Sequence, residues 1–184
     1  MKKRIRDSKK NIGKKSASSS NFLPEQLRKN LKLIIIFSII GIILSLYLTY
    51  QHYKEGKDAF CQALGGGCDV VNKSTYSELG GLLTLFGFDI NFPFPVAVVG
   101  LLGFLFNLVV VMLLIKGTGF GIKNKASILK VMFAANLLGL LFAIFVTYIE
   151  YGILEVPCYY CDASKVSHAI IFIVSAINLR YIRT

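Results

Sequence analysis

Four cysteines are the residues of this chain with the clearest chemistry. Cys61 and Cys68 form a C-x6-C pair in FCQALGGGC, and Cys158 and Cys161 form a C-x2-C pair in PCYYC. Two such pairs are compatible with three kinds of site: structural disulfides, a zinc site, or a relay of two redox-active dithiols.

The short loops that the pairs close favour the relay. A disulfide across so few residues removes little entropy from the unfolded chain, about 2–3 kcal/mol at most. A C-x-x-C ring is tight, and strained, accessible disulfides tend to be redox-active. A four-cysteine zinc site normally uses two C-x2–4-C knuckles, which a C-x6-C pair does not match, so no metal site is predicted.

Long apolar blocks surround the cysteines. Of the 184 residues, 54% are hydrophobic, and the mean hydropathy is +0.61. A helix of about 20 apolar residues crosses the hydrocarbon core of a bilayer. Four blocks approach this length and predict an all-α integral membrane protein, a four-transmembrane-helix bundle with spans at about 33–50, 94–115, 131–149 and 166–182. The first lacks a small-x-small cleavage site and is predicted to be retained. The long loop after it is predicted to carry a short helix.

The distribution of charge predicts the orientation of these spans. Seventeen of the 21 Lys and Arg residues lie in the N-terminal tail, between the second and third spans, or at the C-terminus. Cytoplasmic segments carry such an excess. Both termini are therefore predicted to be cytoplasmic. Both cysteine-bearing loops are predicted to be extracytoplasmic, where disulfides form and persist.

Residues 1–32 form a basic tail that contains KKRIRDSKKNIGKKSASSSN and is predicted to be disordered and cytoplasmic. Its polar, Ser-rich composition cannot bury a core, and its lysines suit anionic lipid headgroups. The net charge of +11 is explained by this tail. No binding to nucleic acid is predicted.

Cys161 lies a few residues before the fourth apolar block, close to the predicted membrane boundary. The first turn of a helix offers unpaired backbone N–H groups and a positive dipole end, which stabilise a thiolate. Lys165 lies on the same helical face if the helix has begun, and adds to this effect; otherwise it is an interfacial lysine. A thiolate at this depth can reach a lipid-soluble electron acceptor.

Taken in order, these motifs resemble the bacterial homologues of vitamin K epoxide reductase. The shared elements are a spaced cysteine pair in the first loop, a C-x-x-C pair before the last span, and four further positions. These are Ser74 six residues after Cys68, Tyr76 just beyond it, and Pro95 and Gly100 at the start of the second span. The resemblance covers about residues 33–182.

The resemblance implies a membrane thiol oxidoreductase of the bacterial inner membrane. It would oxidise a thioredoxin-like (DsbA-like) partner and pass the electrons to a membrane quinone, ubiquinone or menaquinone. Cys61 and Cys68 would form the shuttle pair, Cys158 would exchange with Cys68, and Cys161 would face the quinone. Because the chain ends at Thr184, the partner is expected to be a separate protein.

The resemblance identifies the residues that would contact a quinone only in part. Some relatives carry Tyr four residues after the last cysteine, where this chain has Lys165. The hydrogen-bond donor is then either missing or supplied by Tyr76, Asn91 or a backbone amide, with Ser74 beside the site. Lys165 is retained as a candidate quinone contact. His168, an ionisable residue within a span, is either functional or bonded to a neighbouring carbonyl. The alternative function is a non-enzymatic membrane protein, a transporter subunit or channel, with two structural disulfides.

Overall fold

The computed structural model describes residues 25–56, 58–88, 92–116 and 125–182. Most of the predicted basic tail, residues 1–24, lies outside the described residues, as does the connection 117–124. Within the described ranges the chain is mainly helical, and its one bridge of β type joins Glu78 and Pro95.

Four long helices and three short ones make up most of the described part of the chain. In chain order they are α1 (Glu25–Tyr53), α2 (Ala59–Ala63), α3 (Cys68–Lys73), α4 (Leu79–Thr84), α5 (Val96–Lys116), α6 (Lys125–Tyr148) and α7 (Tyr159–Asn178). A π-helix, Ile149–Ile153, continues α6, and a 3-10 helix, Leu179–Ile182, continues α7. The four long helices are long and apolar enough to cross a membrane, which confirms the prediction of an all-α membrane protein with four spans.

The first and last long helices begin before the apolar blocks that predicted them. Helix α1 starts at Glu25, whose carboxylate lies 2.9 Å from the ammonium of Lys29 one turn on. Leu27 and Leu31 of the same segment are buried. The helix thus extends beyond the apolar block into a polar segment, because the apolar residues on one face of that segment still pack on the bundle.

Helix α1 is central to the bundle and packs against both α5 and α7, while α6 packs mainly on α7. The core contains side chains from all four helices: Leu31, Ile34, Phe104, Val111, Met132 and Ile171. The outward faces are also apolar, and Ile43, Leu138 and Ile144 are each at least 60% exposed. Exposed aliphatic side chains of this density suit contact with lipid.

Buried amides join the helices where apolar packing alone gives little specificity. Asn107 of α5 and Asn136 of α6 donate to each other's side-chain oxygens at 3.0 and 2.8 Å. Asn30 of α1 donates to Asn178 of α7 at 2.8 Å. Interhelical hydrogen bonds of this kind contribute about 0.6–2 kcal/mol in membranes. They therefore fix which helices are neighbours.

The connection between α1 and α5, residues 54–95, is named the cysteine loop here. It contains α2, α3, a 3-10 turn at Thr75–Ser77, and α4. Its last part returns to the start of α5, where Leu79 N donates to Phe94 O at 2.9 Å. The sequence predicted one short helix in this loop, and the structure has several. Glycines and capping residues end each helix after a few residues.

Gly41 sets the closest approach of α1 and α5. A Cβ at this position would lie 2.3 Å from Cε1 of Phe104, which is 3% exposed. Replacing Gly41 by Ala is therefore expected to destabilise the fold by about 1–3 kcal/mol, since an overpacked core must shift. The measurement is thermal or denaturant unfolding in detergent.

Gly103→Ala is the matched control, because no atom lies within 4 Å of a Cβ there. Alanine is favoured over glycine inside a helix by about 0.5–1 kcal/mol, so this variant should be at least as stable as the native chain. Equal stability of the two variants would contradict the close approach at Gly41.

Candidate redox site

The four cysteines are joined as two disulfides. Cys61 bonds to Cys68 and Cys158 to Cys161, with Cα–Cα separations of 6.0 and 5.2 Å. The first pair joins α2 to the first residue of α3, and the second lies at the start of α7. Each cysteine is thus bonded to the cysteine nearest to it in sequence, which is the pairing that the sequence predicted.

Asp58 shapes the turn that carries Cys61. As the N-cap of α2, its Oδ1 accepts from the backbone N–H groups of Phe60 and Cys61 at 3.1 and 3.3 Å. Its Oδ2 accepts from the hydroxyl of Tyr47 at 2.9 Å and from Gln51 Nε2 at 3.1 Å. A single buried carboxylate therefore ties the first cysteine to the end of α1.

Cys158 is itself the N-cap of α7. Its Sγ accepts from Cys161 N at 3.3 Å, and its carbonyl accepts from Asp162 N at 2.9 Å. The helix consequently begins at Tyr159. Cys161 thus lies in the first turn, where backbone N–H groups and the helix dipole favour a thiolate.

The cysteine loop packs directly on residues 154–161, named the C-x-x-C segment here. Gly67 N donates to Pro157 O at 3.0 Å, and the hydroxyl of Tyr159 donates to Leu64 O at 3.0 Å. A Cβ on Gly67 would lie 2.2 Å from Val156 Cγ1. This close approach is available only to a residue without a side chain.

Three of the four cysteines are removed from solvent by this packing. Cys61 and Cys158 are 0% exposed and Cys68 is 3% exposed, and the three form one buried cluster with Leu48 and Val71. The two disulfides therefore adjoin each other. A water-soluble protein reaches the first pair only when the cysteine loop moves.

A cavity of about 510 Å³ lies beside the fourth cysteine. It is bounded by all four long helices and by the cysteine loop, and its walls are mostly apolar. Cys161 lines it, whereas Cys61, Cys68 and Cys158 do not. Both the size and the few polar groups are typical of a site for an organic ligand.

Three of the four residues predicted to contact a quinone line this cavity: Ser74, Tyr76 and Lys165. Asn91 lies outside the described residues. The Ser74 hydroxyl donates to Val71 O at 2.8 Å, so it also closes the end of α3. Gly100, another motif position, lies on the cavity wall opposite Ser45 of α1.

Lys165 is paired with two carboxylates. Its ammonium lies 2.8 Å from Asp162 Oδ1 and also bonds to Glu150 Oε2. Its charge is therefore shared before any thiolate forms. The prediction that Lys165 adds to the stabilisation of a Cys161 thiolate did not include this sharing.

Sequence reasoning missed Glu150 as a member of the site. This residue lies in the π-helix after α6, is 1% exposed, and lines the cavity. Its Oε1 accepts from Cys158 N at 2.5 Å. The one signal in the sequence was an acidic residue directly after an apolar block.

Amides and a histidine add polar groups to the walls of the cavity. His168 Nε2 lies 3.2 Å from Asn136 O, which matches the interpretation of a bond to a neighbouring carbonyl. Asn107, Asn136 and Asn72 also line the cavity. Asn72 donates to Leu48 O at 2.7 Å and so ties α3 to α1. None of the three asparagines was singled out from the sequence.

Four apolar spans, two disulfides in one buried cluster and a sulfur at a cavity between the helices are features of an integral membrane protein suited to thiol redox chemistry. Comparison with known families agrees: the model of the Vitamin K epoxide reductase family matches residues 32–176. The chain belongs to this family and is a membrane oxidoreductase. The resemblance inferred from the motifs is thereby confirmed.

Asp58→Ala is expected to loosen the cysteine loop. Loss of an N-cap costs about 0.5–2 kcal/mol, and the Tyr47 and Gln51 partners of Asp58 are lost as well. In the reduced protein, Cys61 should therefore be alkylated faster than in the native chain, as followed by mass spectrometry.

Asp58→Asn provides the control, because its side-chain oxygen still caps α2. It should fall between the native chain and the alanine variant in both stability and alkylation rate. An alanine variant that is alkylated no faster than the native chain would mean that Asp58 does not hold the loop closed.

Proposed function

We propose that this protein oxidises the dithiol of a separate thioredoxin-like partner and passes the electrons through its two cysteine pairs to a membrane quinone, ubiquinone or menaquinone. One observation carries the proposal. Cys161 alone among the cysteines lines an apolar cavity between the helices, while its partner Cys158 is buried against the other pair. The family is one that uses quinones.

Thiol–disulfide exchange accounts for the first half of the reaction. A thiolate of the partner attacks the Cys61–Cys68 disulfide and forms a mixed disulfide with the loop. The partner's second thiol then attacks the partner's own sulfur in that bond, so that the loop cysteine is released and the partner leaves oxidised. Cys68 then attacks Cys158 and releases Cys161. Attack of Cys61 on Cys68 restores the first disulfide and leaves Cys158 and Cys161 reduced.

The packing of the two pairs supports this order. Exchange requires the attacking and attacked sulfurs to come into contact, and Cys68 and Cys158 belong to one buried cluster. The Gly67–Pro157 hydrogen bond holds the backbones together beside them. Because the first pair is covered, the loop must open to meet the partner and close to meet Cys158.

A quinone fits the cavity by chemistry as well as by size. When bound, it supplies a two-electron, two-proton acceptor. Ser74, Tyr76 and Lys165 would present polar groups to its head, with Asn91 as a further proposed contact. Side chains such as Phe104 and Phe142, which line the same cavity, offer an apolar surface for its tail.

The orientation is part of the proposal. We place both termini in the cytoplasm of a bacterial cell and the cysteines outside its inner membrane, on the strength of the basic residues at the opposite ends of the spans. The packing of the cysteine loop on the C-x-x-C segment supports a single cysteine end of the bundle. An extracytoplasmic cysteine end can receive electrons from secreted dithiols.

Quinone reduction by the purified protein tests the proposal. With a reduced thioredoxin-like partner, ubiquinone or menaquinone should be converted to quinol, followed by its absorbance. Cys161→Ser should abolish quinol formation, because the sulfur at the cavity is lost. It should still permit a mixed disulfide between Cys158 and the cysteine loop. Native protein that forms no quinol with either quinone would refute the proposal.

The order of exchange is tested by Cys61→Ser. Without Cys61 no loop thiol can resolve the exchange, so a disulfide between Cys68 and Cys158 should accumulate. Serine keeps an acceptor for Cys68 N, which donates to the Cys61 sulfur at 3.2 Å in the native chain. Peptide mapping under non-reducing conditions detects the product.

The double variant Cys61→Ser, Cys68→Ser is the control and should contain no disulfide between the loop and Cys158. A single variant in which Cys68 stays free and Cys158 stays bonded to Cys161 under oxidising conditions would exclude the assigned order. That result would favour the alternative of two structural disulfides in a non-enzymatic membrane protein.

A further inference from the structure

Glu150 is the most deeply buried charged side chain described in this structure. It is 1% exposed and lies where the π-helix turns the chain away from α6. Its two oxygens have different partners. Oε1 accepts from the backbone N–H of Cys158, and Oε2 bonds to the ammonium of Lys165. One carboxylate thus links the C-x-x-C disulfide to the cavity wall.

The charges around this carboxylate do not balance. Lys165 is paired with both Glu150 and Asp162, so two carboxylates share one ammonium. The hydroxyl of Tyr151 donates to Asp162 at 2.5 Å and brings no charge. The other titratable groups on the cavity wall are Tyr76 and His168, and His168 is bonded to Asn136. With Glu150, Asp162 and Lys165 ionised, the cluster carries a net charge of −1 before the disulfide is reduced.

The proposed reaction adds to this charge. Reduction of the Cys158–Cys161 disulfide breaks one S–S bond and places two electrons on the sulfurs, with two protons required for neutrality. A thiolate at Cys161 would bring a further negative charge to the cavity that Glu150 and Lys165 also line. Like charges in a poorly solvated site favour uptake of a proton by one of them. Glu150 has the least access to water of the carboxylates nearby.

We propose that Glu150 and Lys165 form the proton-transfer couple of this site: in the reduced protein Glu150 holds one proton while Cys161 remains a thiolate, and Lys165 delivers protons into the cavity. This inference rests on the proposed function. When the disulfide re-forms, Cys161 and Cys158 give up two electrons. The proton on Glu150 and the S–H proton of Cys158 leave through Lys165. An acceptor of the quinone class gains both electrons and both protons.

The role of Glu150 is tested by infrared difference spectroscopy between the disulfide and dithiol forms, with no quinone present. Reduction of the native protein should produce the C=O band of a protonated carboxyl group. Glu150→Gln should lack this band, although its side-chain oxygen still accepts from Cys158 N. Glu155→Gln, which changes an exposed carboxylate on the same connection, should keep it. Absence of the band in the native protein, or its persistence in Glu150→Gln, would overturn the role of Glu150.

The role of Lys165 is tested by comparing Lys165→Arg with Lys165→Met. Arginine keeps the positive charge and both ion pairs but does not release a proton at ordinary pH. We expect both variants, pre-reduced and mixed with excess quinone, to be oxidised about 100-fold more slowly than the native protein, the size of a general acid contribution. Native rates in Lys165→Arg would overturn proton delivery and leave only an electrostatic role.

The two measurements separate this inference from the proposed function. If the native protein reduces no quinone, the proposed function fails, and the infrared result still decides whether Glu150 takes up a proton. If the native protein reduces quinone and neither the band nor the rate depends on these residues, the proton-transfer couple is wrong and the relay remains.

Discussion

The packing of the cysteine loop on the C-x-x-C segment is possible only because Gly66 and Gly67 lack side chains. A Cβ on Gly66 would lie 2.8 Å from the Cys61 sulfur and equally close to the Tyr159 ring. This approach brings the loop that carries one disulfide onto the segment that carries the other, and it covers the first pair. The long helices supply the frame, because α1 leads into the loop and α7 begins with the second pair.

The helices and the cysteine pairing could be predicted from the sequence because each depends on local pattern. An apolar block of about 20 residues specifies a helix, since the other structure that satisfies the backbone in lipid, a closed β-barrel, uses strands about half as long. Short cysteine spacings likewise restrict the pairing. The first residue of α7 could not be predicted from local pattern. Its N-cap is Cys158, and cysteine is not a residue type that usually caps helices. The predicted contacts Ser74 and Tyr76 came from the family pattern and Lys165 from its place four residues after Cys161, and all three line the cavity.

Glu150 shows why the rest could not be predicted. By sequence it was an acid at the end of an apolar block, and that position alone did not predict its burial or its partners. It lies in the π-helix that follows α6 and is buried against α7. Its partners Cys158 and Lys165 lie 8 and 15 residues further along the chain. They meet Glu150 because α6 and α7 pack on each other. Residue spacing carries no information on such a pairing.

A buried ion pair is an expensive way to stabilise a fold, because removing two charges from water costs several kcal/mol each before their attraction is counted. Apolar side chains of similar size would serve packing as well. The bundle already has neutral means of joining its helices, as the Asn107–Asn136 and Asn30–Asn178 pairs show. The ionised pair occurs instead at the point where the C-x-x-C turn meets the cavity. Charge placed there suits the proposed reaction, which moves protons together with electrons.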